Sequence, residues 1–129
     1  LKPMFPGKKI WMHFQKKPFS YDKIVFLIEG TITDVLLDLR DNSKTFGKSM
    51  KIVLDSRKKN LIFLPSGIAH GFYVKSNKAL VGYLLNKPYK KSLDAGVKFD
   101  SFNFKWNIKK KIISFRDLKL PDFNFNKKY

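Results

Sequence analysis

Apolar and polar positions change over along this chain with a period of two, or run together in short apolar stretches, and turn signals separate the stretches. "KIVFLIEG" (23–30) is an apolar run that stops at Gly30. In "TITDVLLDLR" (31–40) the residues alternate, with Ile32, Asp34, Leu36 and Asp38 on one face and Thr33, Val35, Leu37 and Leu39 on the other. Further strands are predicted over 48–55, 61–65, 70–76 and 79–86, and a last one over 110–117. The stretches 41–47 and 87–96 read as loops by composition, His13 as a residue just before a strand, and 118–129 as a tail or an arm that docks on a partner. No window of about ten residues carries a helical apolar period, so the fold class predicted is all-β, a sandwich or barrel. The face bearing Asp34 and Asp38 has two readings. It lines a cavity that takes a ligand, since a sealed core would not tolerate unpaired carboxylates, or it is the solvated side of an antiparallel sheet.

Composition narrows the class. A chain of 129 residues, 43% of them hydrophobic, makes one domain with a real core, and thirteen phenylalanines make that core or an interface aromatic. Cysteine is absent, which removes disulfide and thiolate chemistry. The first residues lack the apolar run of a signal peptide, and no segment approaches the roughly 18 apolar residues of a membrane span, so a soluble cytoplasmic protein with no membrane partner is expected. The formal net charge of +17 is the strongest departure from an ordinary domain. Its cations lie mostly in pairs beside turns (Lys16 and Lys17, Lys58 and Lys59, Lys90 and Lys91) rather than along one face, and no nucleic-acid-binding motif accompanies them. Specific nucleic-acid binding is therefore not expected, whereas a small anionic ligand such as a nucleotide fits the charge.

Two histidines are the obvious candidates for chemistry. His13 sits in "IWMHFQ" and His70 in "PSGIAHGFYV", where a proline and a glycine interrupt a strand pattern. A lone histidine is more often a structural or surface group than a functional one. The stretches "GKKIWMH" and "PSGIAH" resemble the two halves of the cupin signature, a double-stranded β-helix of the jelly-roll kind. Metal-binding cupins place a second histidine two positions after the first, where this chain has Gln15. With two histidines and no cysteine a three-histidine site cannot be built, so no metal and no other cofactor is expected.

A narrower resemblance covers residues 7–120. "MHFQKKPFSYDKIVFLIEGTITDVLLDLRDNSKTFGK" (12–48), "LIFLPSGIAHGFYV" (61–74) and "ISFRD" (113–117) are similar to the dTDP-4-dehydrorhamnose 3,5-epimerase family, metal-free cupins acting on nucleotide-linked 4-keto-6-deoxy sugars. The resemblance implies a homodimer and a reaction that inverts carbons flanking a ketone. Such a reaction needs a base for the α-proton, a cation for the enolate and an acid on the opposite face. By position His13 matches the base, Asp117 its paired carboxylate, Lys23 the cation at the ketone oxygen and Tyr83 the acid. His70 and Asp34 match a second imidazole and its carboxylate in the same cavity, and Gln15 and Arg116 are expected at the substrate. Taken alone, Lys23 reads equally as an exposed lysine, Tyr83 as a core aromatic and Asp117 as a turn residue. Epimerisation at one carbon, 3,4-ketoisomerisation and non-catalytic sugar-nucleotide binding are the alternatives. The chain departs from the family where Ile10 replaces a substrate-facing arginine, a gap that Lys8 or Lys9 is placed to fill. The family also has a segment ahead of the base motif, so a naturally short member or a truncated chain is expected.

Overall fold

A computed structural model describes residues 2–5, 12–59, 61–107 and 115–129, without the side chains of Lys2, Phe115 and Arg116. Nine strands, β1 (Lys2–Met4), β2 (Met12–Gln15), β3 (Lys23–Glu29), β4 (Thr31–Asp38), β5 (Ser49–Asp55), β6 (Leu61–Leu64), β7 (Ile68–Val74), β8 (Ala79–Leu85) and β9 (Asp94–Val97), precede one helical turn, α1 (Phe115–Leu118). They form two antiparallel sheets, ordered β1-β8-β3-β6 and β5-β4-β7-β2-β9. This is the all-β sandwich expected from the strand spacing, with the jelly-roll form that the cupin resemblance implies. Gly30 makes the β3–β4 connection at φ +92, where a Cβ would lie 2.2 Å from the Lys78 carbonyl oxygen, so only glycine fits that turn.

Four expectations need correction. His13 lies within a strand, β2, paired directly opposite His70 of β7. Residues 94–97 form edge strand β9 rather than loop, because Asp94–Val97 completes the open side of β2 despite its turn-like composition. Residues 115–118 are helical, while 110–114 of the predicted last strand lie outside the described residues. The solvated-face reading of β4 fails, since Asp34 and Asp38 are both buried.

Strand β4 carries apolar residues on both sides because both faces of its sheet are covered. Ile32 and Leu36 face the interior between the sheets, where they meet Val25, Leu27, Leu54, Phe72 and Val81. Val35, Leu37 and Leu39 face outward, onto Met12, Phe99, Phe102, Trp106 and Phe123. The phenylalanine-rich C-terminal third thus folds over the outer side of the five-stranded sheet. Trp106 Nε1 donates to the Phe99 carbonyl at 2.8 Å, Phe123 stacks on Tyr129, and Tyr129 N donates to Asp41. Each such side chain taken fully from water contributes about 1.5–3 kcal/mol. Among the described residues no helix is long and apolar enough to cross a membrane.

Candidate active site

The interior between the sheets is apolar at one end and ionisable at the other, and strand parity decides which residues meet there. On β2, His13 and Gln15 point inward and Met12 and Phe14 outward; β9 pairs so that Asp94 stands opposite Gln15, on the same inward side. On β7 the inward set is Ile68, His70, Phe72 and Val74. Lys23 of β3 enters from the other sheet, two positions from Val25, whose register partner on β8 is Tyr83.

His70 is the centre of a charged chain. Both Asp34 oxygens lie 3.1 Å from its Nδ1, and Lys23 Nζ lies 2.8 Å from its Nε2. A carboxylate only accepts, so Nδ1 carries the hydrogen and Nε2 offers its lone pair to the lysine. Asp34 is fully buried and this hydrogen bond satisfies it, with the Lys23 ammonium beyond His70, which is why a carboxylate is tolerated inside the barrel. Burial lowers the Lys23 ammonium, against the pull of Asp34 and Asp94 upward, and leaves it at about 8. One ammonium hydrogen is used on His70 and two remain for a ligand oxygen.

Tyr83 stands edge-on to His70, ring centroids 6.3 Å apart, with Lys23 Nζ 5.1 Å from its ring centre. Burial, then the charges of Asp34 and Tyr21, push its phenol above the ordinary value, although the residue is 37% exposed and solvent screens part of the charge effect. The phenol therefore keeps its proton at neutral pH, the state a general acid needs, while the raised value makes it a weaker acid than a free tyrosine.

His13 forms a second centre. Its Nε2 meets Asp117 Oδ1 of α1 at 2.7 Å, and its Nδ1 faces Asp94 Oδ1 at 3.3 Å. Asp117 is buried and comes from 104 residues along the chain, a pairing that spacing alone could not show. Asp94 was not anticipated, because "KKSLDAG" carries the composition of a loop; a carboxylate three residues before the apolar Val97 is the only trace of it in the sequence.

Gln15 borders the cleft, but its amide is committed to backbone: Nε2 donates to the Phe19 and Pro88 carbonyls, and Oε1 accepts from Lys90 N. It therefore ties the loops 16–22 and 86–90 to the sheet. The Arg116 side chain, Ile10, Lys8 and Lys9 lie outside the described residues. No described group of three or more His, Cys, Asp or Glu is arranged to hold a metal ion. Between His13, Lys23 and His70 the open room is only about 10 Å³; a larger cavity of about 480 Å³ adjoins it, sharing Phe14, Gln15 and Gly67, with Lys16, Lys17 and Arg40 in its walls.

An antiparallel jelly roll with two imidazole–carboxylate pairs, a lysine and a tyrosine at its mouth defines a cupin whose inner wall carries ionisable side chains. The family model of dTDP-4-dehydrorhamnose 3,5-epimerase matches residues 11–124. The chain belongs to that family. It is 33% identical over 109 residues to dTDP-4-dehydrorhamnose 3,5-epimerase of Shigella flexneri, covering 83% of this chain and 60% of the relative. The crystal structure of dTDP-4-dehydrorhamnose 3,5-epimerase from Elizabethkingia anophelis superposes with TM-score 0.91 at 34% identity, over 99% of this chain and 72% of that one. That of the Bacillus anthracis enzyme, with TDP and PPi bound, superposes with TM-score 0.86 at 28% identity, over 95% and 73%. The chain spans 60% of the length of the Shigella relative.

Proposed function

We propose that this protein epimerises a nucleotide-linked 4-keto-6-deoxy sugar at C3 and C5 by α-proton abstraction and return through an enolate. The observation that carries this reading is that the His13–Asp117 pair and the Asp34–His70–Lys23 chain lie side by side and line one cleft. In this reading neutral His13 takes the α-proton, and Asp117 holds its ring and one nitrogen–hydrogen in place. Lys23 holds the developing enolate oxygen, which is where a fixed cation lowers the barrier most. Tyr83 returns a proton from the other side. His70 and Asp34 keep Lys23 aimed, and Lys16 and Lys17, which make no ion pair among the described residues, suit the diphosphate. A nucleotide-sugar substrate also fits a cytoplasmic protein acting as one domain with its C-terminal segment folded on the sheet.

Self-association as a homodimer is supported by the outer face of the four-stranded sheet. Ile24, Phe63 and Leu84 are neighbours in register there, and Phe26 lies over Gly82 beside Leu61. Phe63 is 58% and Leu84 59% exposed, and a contiguous apolar face of this kind is uncommon on a monomer.

The test is His13→Asn, incubated with dTDP-4-keto-6-deoxyglucose in deuterated water. Loss of exchange at C3 and C5, with a ligand-induced rise in Tm retained, is the expected outcome. Full exchange in that variant removes His13 from the mechanism.

A further inference from the structure

The cleft holds a second tyrosine to which the reaction above gives no part. Tyr21 borders the same opening as His13, Lys23 and His70. It belongs to the loop 16–22, and that loop is fastened on both sides of it. Before it, Gln15 Nε2 donates to the Phe19 carbonyl. After it, Asp22 accepts from Ser66 N and from Asn86 Nδ2, and Asp22 N donates to Asn86 Oδ1. The Tyr21 hydroxyl makes no hydrogen bond to a described residue, so the loop, not the hydroxyl, sets the place of the ring. What the ring meets is Lys23, whose Nζ lies over it at 5.3 Å from the ring centre and over the Tyr83 ring at 5.1 Å. An ammonium within about 6 Å of an aromatic face is attracted by the ring's quadrupole, more strongly where water is shut out. The need for such a contact follows from the side chain. Lysine is a point charge on a flexible four-carbon stem, and the single bond to His70 leaves that stem free to swing. A charge stabilises a developing oxyanion only if it is already in place. The charged and titratable groups around this ammonium are His70 on β7, Asp34 on β4, His13 on β2, Asp94 on β9, Tyr83 on β8 and Tyr21 on the loop.

We propose that Tyr21 is a positioning residue, the face of its ring rather than its hydroxyl holding the Lys23 ammonium in place for the ketone oxygen of the substrate; this rests on the epimerase reading above. Tyr21 acts through Lys23 and moves no proton itself. The sign of its effect on Lys23 follows from the contact. A ring face attracts the charged amine and not the neutral one, so removing the face while keeping apolar bulk leaves the ammonium under the same burial with less to hold its charge, and Lys23 loses its proton at lower pH. Removing the bulk as well acts in the opposite direction, because burial is the largest influence lowering Lys23. The informative replacements are therefore apolar and of similar size.

The test compares wild type with Tyr21→Phe, Tyr21→Leu and Tyr21→Met, using Tm to show that each is folded. The titration of Lys23 is read without substrate from the ε-methylene NMR signals of protein carrying ¹³C-lysine, with Lys23→Met identifying the signal. Turnover of dTDP-4-keto-6-deoxyglucose is followed across pH. In Tyr21→Leu and Tyr21→Met the Lys23 titration and the alkaline limb of kcat both move down by about half a pH unit to one unit. At neutral pH kcat in these two variants falls about threefold to tenfold while KM stays within about twofold, because the aimed charge serves the transition state more than the bound ketone. Tyr21→Phe keeps the ring and matches wild type in both readings. A Lys23 titration that stays in place or moves up in the Leu and Met variants overturns the ring contact, and so does a Tyr21→Phe that behaves as they do, since the hydroxyl would then be the acting group. Failure of wild type to exchange either α-proton overturns the epimerase reading, while the Lys23 titration still decides the ring contact on its own.

Discussion

Lys23 is the residue whose electrostatics bear most directly on rate. Its ammonium is held at about 8 by burial, so below that pH it is charged and able to hold an enolate, and above it the charge is lost. The expected kcat profile therefore falls on the alkaline side through about pH 8. A profile flat to pH 10, well beyond that titration, would contradict the assignment. Lys23→Met removes the charge at every pH, with an expected loss of about 10²–10³ in kcat, comparable to removing one oxyanion-hole donor. At this scale the sequence was informative only through resemblance. Nothing in the spacing of His13 and Asp117 shows that α1 returns to β2, and Lys23 at the head of a strand has the look of an exposed lysine. Asp94 was not found because its partner is across a strand pair that composition does not reveal.

At the scale of elements, the end of β4 shows how one carboxylate organises a loop. Asp38 accepts from Arg40 N, Arg40 Nε and Nη2, Ser43 Oγ and Thr45 Oγ1, which fixes 39–47 as a turn against the sheet. Burial pushes its carboxyl up, but those bonds outweigh burial and hold it well below the usual carboxylate range. A carboxylate depressed in the folded state gives stability that is complete above its unfolded value near 3.8 and is lost as pH falls towards the folded value. Asp38→Asn is thus expected to lower stability by about 2–3 kcal/mol at neutral pH, and to flatten the decline in Tm below pH 4 that is expected of wild type. Equal acid sensitivity in the two proteins would assign the decline to other groups. The alternation of 31–38 was legible, and so was the oddity of acids on one face. Which face was buried was not, because the cover over Val35 and Leu37 comes from Phe99, Trp106 and Phe123, too far along the chain for periodicity to register. Edge strands β1 and β9 were missed for a related reason: at three and four residues they are too short to show a period.

For the whole molecule, two surface properties oppose each other. The outer face of the four-stranded sheet presents Ile24, Phe63 and Leu84 in a row, while the chain carries a net +17. A homodimer closed over that face gains from apolar burial and loses from repulsion between the two copies, so rising salt, which screens the repulsion, is expected to tighten it. Replacing Phe63 and Leu84 together by Glu is expected to give a folded monomer in sedimentation equilibrium. A dimer that persists in that double variant would place the interface elsewhere. The aromatic content was visible from composition, but its division into a covered outer face on one sheet and an open one on the other depends on the course of the C-terminal segment and could not be.

Proton NMR of dTDP-4-keto-6-deoxyglucose in deuterated water with the wild-type protein tests α-proton chemistry in this cleft most directly. Disappearance of both the C3 and C5 proton signals is the expected result, and it corresponds to inversion at two centres by His13 and Tyr83. Loss of the C3 signal alone would contradict the two-centre reading and point to a 3-epimerase or ketoisomerase. Persistence of both signals while the sugar nucleotide binds would contradict catalysis on this substrate altogether.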